Sequence, residues 1–149
     1  AATTLLTTGE KLPENVKCAI SDCGCTSALE EFYLQCTNVA RLPPFPFLYA
    51  LRRVAILRDK CDPKECSPLQ CVARSVTPTL FIHGSKDVFV PFWMLDILYD
   101  NAACEKQKLV IEGAEHANSD DVNPELYWST VFNFIDKYIT PSAAADNVA

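Results

Sequence analysis

The pattern of apolar and polar residues predicts strands and helices that alternate along the chain. Short apolar runs at residues 16–21, 79–83 and 108–113 predict strands, and the second run (TLFIH) is continuous, as in a strand buried on both faces of a parallel sheet. Apolar residues at helical spacing separate or follow these runs, over residues 27–42, 47–59, 67–75, 91–102 and 124–139. This order of elements predicts a parallel α/β sheet.

Capping residues and prolines support the helix boundaries. Thr26 or Ser27 suits the N-cap of the first helix, and both Ser67 and Asn123 directly precede a proline that opens a helix. The proline-rich stretch PPFPF ends the first helix, because consecutive prolines cannot continue one. We therefore expect residues 26–75 to form a helical insertion between the first two strands.

The two ends of the chain carry weaker signals. Residues 1–9 (AATTLLTTG) are good helix formers without an N-cap, and Gly9 suits a helix C-terminus. This pattern predicts a helix that begins before Ala1, and hence a chain whose N-terminal part is missing. The alternative is a processed product that starts at Ala1. Residues 140–149 are small and polar, and we expect them to be disordered.

Length, charge and hydropathy narrow the function classes. The 149 residues suit one domain, predicted to span residues 1–139. The net charge is −6 and no run of lysine or arginine occurs, which argues against nucleic acid as a partner. No stretch approaches 18 consecutive apolar residues, so the sequence predicts no transmembrane helix.

The eight cysteines allow three interpretations. They stand at Cys18, Cys23, Cys25, Cys36, Cys61, Cys66, Cys71 and Cys104. Reduced thiols packed as small hydrophobic residues in a cytosolic protein fit a chain with a periodic apolar core. A disulfide framework and a zinc or redox site remain alternatives, although the spacings lack paired C-x-x-C motifs and both histidines lie elsewhere.

Asp87 and His116 are the strongest candidates for chemistry. Each follows a predicted strand by a few residues, and in parallel sheets such loops lie together outside the carboxyl ends of the strands. A histidine there can act as a general base, and an aspartate can orient it and stabilise the imidazolium. This chemistry needs a nucleophile; otherwise the two residues are solvated loop residues or helix caps.

Two motifs in the second half of the chain resemble the C-terminal half of an α/β-hydrolase. TPTLFIHGSKDVFVP is similar to the family's HG-x-x-D-x-x-VP acid turn, and KLVIEGAEHANS to its GA-x-HA histidine loop. The resemblance extends over residues 1–139 and is to the bacterial esterase and peptidase branch, with prolyl oligopeptidase-type and acyl-thioesterase-type relatives. It implies that Asp87 is the acid and His116 the base of a serine hydrolase, in the family's chain order.

The same resemblance implies that the nucleophile lies outside this sequence. The family's G-x-S-x-G elbow would end directly before Ala1, so the serine and the oxyanion donors would lie upstream. Within the chain, Ser85 and Ser119 are not on a strand-to-helix elbow. Cys23 and Cys25 follow a strand and are the least implausible substitutes.

We also expect structural roles for the polar residues Asp22 and His83, and a functional role for the helical insertion. We expect Asp22 to cap the first helix of the insertion and His83 to be a core histidine bonded to backbone. By resemblance, residues 26–75 form a lid over an acyl pocket. The aromatic residues that could line this pocket are Phe32, Tyr33, Phe45, Phe47 and Tyr49.

The sequence thus predicts the C-terminal part of a serine hydrolase that cleaves a carboxylic ester, thioester or amide, inactive by itself. Its partner would be a small ester, thioester or peptide-like substrate, and no cofactor or metal is expected. A catalytically inactive binding remnant is the main alternative, and a cysteine-based metal or redox module a weaker one. Three strands with an open edge also predict a poorly stable or self-associating chain.

Overall fold

The computed structural model describes residues 12–60 and 62–139, and its centre is a three-stranded parallel sheet. The strands are β1 (Ala19–Asp22), β2 (Thr79–Gly84) and β3 (Lys106–Ile111), in the order β1-β2-β3. Ala19 pairs with Thr79, and Thr79 with Lys106, so the three strands begin together, while β2 and β3 continue for two residues beyond the end of β1. The prediction of a parallel α/β sheet is confirmed.

Six α-helices of the described residues surround this sheet. They are α1 (Ala28–Leu34), α2 (Pro44–Asp59), α3 (Pro68–Val72), α4 (Trp93–Asn101), α5 (Ser119–Val122) and α6 (Pro124–Ile139), and a π-helix (Gln35–Val39) continues α1. Three predicted caps are confirmed. Ser27 and Ser67 accept hydrogen bonds from the backbone N–H groups of Glu30 and Gln70, and the side chain of Asn123 accepts one near the start of α6.

Several predicted boundaries were wrong. The run 16–21 starts too early for β1 and the run 108–113 starts too late for β3, since alternating charged residues open β3. The α-helix predicted over residues 27–42 becomes a π-helix after Leu34. The helix predicted over residues 47–59 is close to the observed one, because the span Pro44–Asp59 is interrupted at Phe45, whose dihedral angles are not helical. The helix α5 lies in a predicted loop. The expectations for residues 1–9 and 140–149 lie outside the described residues.

Strand β2 is buried on both faces, as its continuous apolar run predicts. On one face Phe81 packs with Val72 of α3 and with the leucines of α4. On the other face Leu80 and Ile82 pack with β3 and with the apolar side of α6, including Phe134. The sheet is therefore covered on both sides, and β2 is held rigidly where it leads into the next loop.

The elements α1, the π-helix, α2 and α3 lie between β1 and β2 in the chain, as the insertion prediction requires. α2 buries no residue, and many large apolar side chains of the insertion are exposed. Across residues 12–60 and 62–139, no helix is long and apolar enough to cross a membrane.

Candidate active site

The loop after β2, residues 84–90, is folded around the carboxylate of Asp87. Oδ1 of Asp87 accepts hydrogen bonds from the backbone N–H groups of Phe89 (3.0 Å) and Val90 (2.9 Å). The backbone N–H of Asp87 itself donates to the carbonyl of Gly84. These contacts fix the carboxylate within its own loop, with the side chain fully buried.

The loop after β3 is tied directly to this acid loop. Ser85 Oγ accepts from the Gly113 N–H (2.9 Å), and the Lys86 N–H donates to the Ala114 carbonyl (2.9 Å). Gly84 lies so close to Ala114 that a Cβ atom on it would overlap that carbonyl. The two loops therefore form one unit at the carboxyl end of the sheet, where α/β folds place their ligands.

This unit brings together the two residues that the sequence singles out. Nδ1 of His116 lies 2.8 Å from Oδ2 of Asp87, although 29 residues separate them in the chain. The His116 side chain is 34% exposed, and its ring packs against the ring of Phe89 at a centroid distance of 4.8 Å. The aspartate thus holds one nitrogen of the imidazole and leaves Nε2 directed away from it.

The ionisation of Asp87 decides where the protons lie. Burial raises the pKa of this carboxyl, but hydrogen bonds from His83, His116 and the Val90 N–H outweigh it and lower the pKa to about 2. Asp87 is therefore an anion at neutral pH, and Nδ1 of His116 carries the proton in their hydrogen bond. The neutral histidine then has a bare Nε2, which is the arrangement of a general base.

His83 is a core histidine bonded to backbone, as expected, but it also contacts the acid. Its Nε2 lies 2.9 Å from the Val90 carbonyl and 3.2 Å from Oδ2 of Asp87, and its side chain is fully buried. Both neighbours are acceptors, so Nε2 carries the proton. Nδ1 has no hydrogen-bond partner within the described ranges. A neutral His83 thus closes the acid loop, a contact that its neighbours in sequence do not reveal.

The alternative nucleophiles are placed poorly for attack. Ser85 donates to Glu112 and Ser119 is fully buried. The Cys23 thiol lies 3.2 Å from Asp22, and burial raises the pKa of this thiol to about 12, so it is not the reactive thiolate. Cys25 is buried in the core with Val90.

The expectation that Asp22 caps the first helix was wrong, because Ser27 fills that position. Oδ2 of Asp22 instead accepts from the Tyr127 hydroxyl at 3.0 Å. This bond joins the end of β1 to the first turns of α6, which follows the histidine loop. The role of Asp22 is therefore to anchor neighbouring elements.

The described residues include one grouping of potential metal ligands, formed by Cys23, His83 and Asp87 with ligand atoms within 4.8 Å of one another. A transition metal there needs a thiolate and a bare imidazole nitrogen. Burial keeps the Cys23 thiol protonated, Nε2 of His83 donates its proton, and the oxygens of Asp87 already accept hydrogen bonds. These donors do not fit a metal ion.

The cysteines also fit reduced thiols where the structure describes them. Cys18, Cys23, Cys36, Cys71 and Cys104 carry free thiols. Cys104 is buried in an apolar cluster, as the packing interpretation expects, whereas the buried thiol of Cys23 donates to Asp22. Cys61 lies outside the described residues.

A cavity of about 680 Å³ lies between α1 and α2 of the insertion. Tyr33 and Tyr49, two of the five aromatic residues that were expected to line a pocket, are on its wall together with Leu29 and Leu48. Asp87 and His116 do not line it. The insertion therefore offers a partly apolar recess separate from the dyad.

Solved structures with a similar arrangement of strands and helices include esterases and a lipase. The esterase Pf2001 of Pyrococcus furiosus superposes with a TM-score of 0.67 over 93% of this chain and 51% of its own, at 16% identity. A monoacylglycerol lipase of Paleococcus ferrophilus gives a TM-score of 0.58 over 91% of this chain and 65% of its own, at 14% identity. The fold is that of the C-terminal part of an α/β-hydrolase.

Sequence comparison adds one relative. Protein YqkD of Bacillus subtilis is 30% identical over 136 residues, which cover 91% of this chain and 45% of that protein. No family model matches the sequence. The chain thus spans about half the length of the esterase and of this relative. These comparisons establish a hydrolase-like fold, in which Asp87 and His116 occupy the loops after two adjacent strands.

Proposed function

We propose that this chain supplies the acid and the base of a serine hydrolase that cleaves a carboxylic ester, thioester or amide through an acyl-enzyme. The observation that carries the proposal is the hydrogen bond of 2.8 Å between Nδ1 of His116 and Oδ2 of Asp87, with the imidazole partly exposed and the carboxylate buried. An imidazole oriented by a buried carboxylate is the arrangement that activates a hydroxyl nucleophile.

In the proposed reaction, Nε2 of His116 takes the proton of a serine hydroxyl as its oxygen attacks the carbonyl carbon. Asp87 stabilises the imidazolium that forms and keeps Nδ1 protonated. His116 then gives the proton to the leaving group, whose bond to carbon breaks. In the second half Nε2 of His116 takes a proton from water, whose oxygen attacks the acyl carbon. His116 then returns this proton to the serine oxygen as the bond between that oxygen and the acyl carbon breaks and the carboxylic acid leaves.

The serine and the oxyanion donors would come from polypeptide outside this sequence. Ser85, Ser119, Cys23 and Cys25 are hydrogen-bonded, buried or protonated in ways that do not suit a nucleophile. The esterase Pf2001 and YqkD are each about twice as long as the part that the chain matches. By itself the chain would bind substrate without turning it over.

The test is to express the reading frame that contains this chain together with whatever precedes Ala1. Hydrolysis of p-nitrophenyl esters and labelling by a fluorophosphonate report a reactive serine. We expect Asp87→Asn and His116→Gln to lower kcat about 10³- to 10⁴-fold, and the exposed Asp136→Asn to leave it unchanged.

The outcomes separate two functions. Labelling of a serine upstream of Ala1 that is lost with His116→Gln supports the hydrolase. A folded protein that binds esters in the recess between α1 and α2 but neither labels nor hydrolyses would favour the binding remnant, because that recess is separate from the dyad. Activity that survives both dyad substitutions would contradict the proposed roles.

A further inference from the structure

One face of α1 is turned toward the acid loop. Nε2 of Gln35, directly after the helix, donates to the Phe89 carbonyl at 2.8 Å, and Leu34 packs against the cluster that contains Val90. Glu31 precedes these two residues by three and four positions and so lies on the same helical face. A second carboxylate is therefore held beside the dyad, although the proposed reaction does not use it.

The hydrogen bonds of Glu31 are incomplete. Its Oε1 accepts from Nε2 of Gln35, which fixes the orientation of the carboxylate. Its Oε2 is buried and has no partner in the part of the chain that the structure describes. A buried carboxylate oxygen without a donor is costly, and an anion has the larger penalty. The site thus holds an acceptor that a ligand could satisfy.

The charges near Glu31 favour a cationic ligand. Burial raises the pKa of Glu31. The hydrogen bond from Gln35 and the charge interaction with His116 lower this pKa, whereas the carboxylates of Asp87 and Glu30 raise it further. The carboxylates of Asp87 and Glu30 thus place negative charge near Glu31. A ligand cation would offset this negative charge in a partly desolvated site, where Coulomb interactions are stronger than in water.

Phe89 connects this carboxylate to the reacting histidine. Its carbonyl accepts from Gln35, and its ring packs against the ring of His116 at 4.8 Å. Glu31 is therefore linked to the imidazole through its contact with Gln35 and the contacts of Phe89. The cavity between α1 and α2 lies elsewhere and is lined by Glu30 rather than Glu31.

We propose that Oε2 of Glu31 binds a protonated amine on the substrate, so that the hydrolase acts on esters, thioesters or amides with an ammonium group close to the scissile carbonyl. The inference rests on the proposed function for the reaction, but the binding of the amine does not require the nucleophile. A neutral hydroxyl donor is the competing ligand chemistry, and the experiment separates the two.

The first measurement is a titration of the 149-residue chain with butylammonium, in which NMR amide chemical shifts report binding. A titration with 1-butanol serves as the neutral comparison. We expect butylammonium to shift the resonances of Glu31, Gln35 and Phe89, and Glu31→Gln to weaken its binding about tenfold. The control is Asp136→Asn, which removes an exposed carboxylate of α6 and should leave the affinity unchanged. Equal shifts with butanol, or equal affinity in the Glu31→Gln variant, overturn the proposal.

The second measurement uses the longer polypeptide and compares glycine p-nitrophenyl ester, which is cationic, with p-nitrophenyl acetate. We expect Glu31→Gln to lower the ratio of the two kcat/KM values about tenfold, and Asp136→Asn to leave the ratio unchanged. A ratio that does not change in the Glu31→Gln variant overturns the amine site while the hydrolase stands. Amine binding without hydrolysis of either ester would instead refute the proposed reaction and leave the amine site intact.

Discussion

The substitution Asp87→Asn should remove a defined share of the folding free energy. The carboxylate accepts from two backbone N–H groups through Oδ1 and from His116 and His83 through Oδ2. Asparagine keeps one acceptor oxygen, but its NH₂ group would face two N–H donors. The variant therefore loses the charge-assisted bonds and confronts His116 with a donor, which favours the other tautomer.

The magnitude follows from the pKa of Asp87. Its ordinary value is 3.8 and its value in the folded chain is about 2. Because folding lowers this pKa, the carboxylate stabilises the fold fully above the unfolded value, and the contribution is lost as the pH falls toward about 2. Linkage gives about 2 kcal/mol at about pH 5.5 and about 1 kcal/mol at about pH 3.

The assay is equilibrium unfolding by urea, followed by the fluorescence of Trp93 and Trp128. We expect Asp87→Asn to be less stable than the parent chain by about 2 kcal/mol at about pH 5.5, and the difference to fall by about 1 kcal/mol at about pH 3. Carboxylates that do not interact with Asp87 affect both chains equally and cancel. Asp136→Asn, at an exposed site, should show no such change. A stability difference that is independent of pH would refute the charge argument.

Four further substitutions test other contacts of the fold. Gly84→Ala should destabilise the fold by about 3 kcal/mol or more, because the added Cβ would overlap the Ala114 carbonyl. Gly113→Ala should cost only about 1 kcal/mol, which is the strain of its φ of +82°, since the space around Gly113 is open. Equal losses of stability in urea would contradict the close approach of the two loops. Tyr127→Phe should cost about 1 kcal/mol by removing the bond to the aspartate at the end of β1, and an unchanged urea midpoint would argue against that anchor. The Arg52 hydrogen bond lowers the pKa of Asp62 to about 2, so Arg52→Met should raise this pKa. An NMR titration of the Asp62 carboxyl carbon measures the change, and an unchanged pKa would mean that the pair is not formed in solution.

The sheet and the dyad follow from patterns that local physics determines. A continuous apolar run such as residues 79–83 has few alternatives to a buried parallel strand, and the loops after adjacent parallel strands must lie at one edge. The proximity of Asp87 and His116 is therefore predictable once the strand order is known. Their hydrogen bond of 2.8 Å confirms the juxtaposition that the two motifs indicate.

The features that the sequence did not reveal depend on contacts between distant segments. His83 alternates with apolar neighbours and is expected in the core, but its contact with Asp87 depends on the turn that brings Val90 back to it. Glu31 resembles an ordinary surface residue of a helix, and only the packing of Gln35 on Phe89 places it beside the site. Strand limits shifted because hydrogen-bond register, rather than apolarity, ends a strand.

The dyad is positioned entirely by elements within this chain. Gly84 and Ile111 are paired at the ends of β2 and β3, and the loops that follow them are cross-linked by backbone and serine hydrogen bonds. No contact with a nucleophile is needed to hold His116 against Asp87, so this geometry would persist in an active hydrolase and in an inactive relative alike. An active hydrolase and an inactive relative differ in whether a nucleophile is present, because Nε2 of the partly exposed His116 has a catalytic role only if a hydroxyl reaches it. A search for the reactive serine therefore discriminates between these functions, whereas a finer description of the dyad would not.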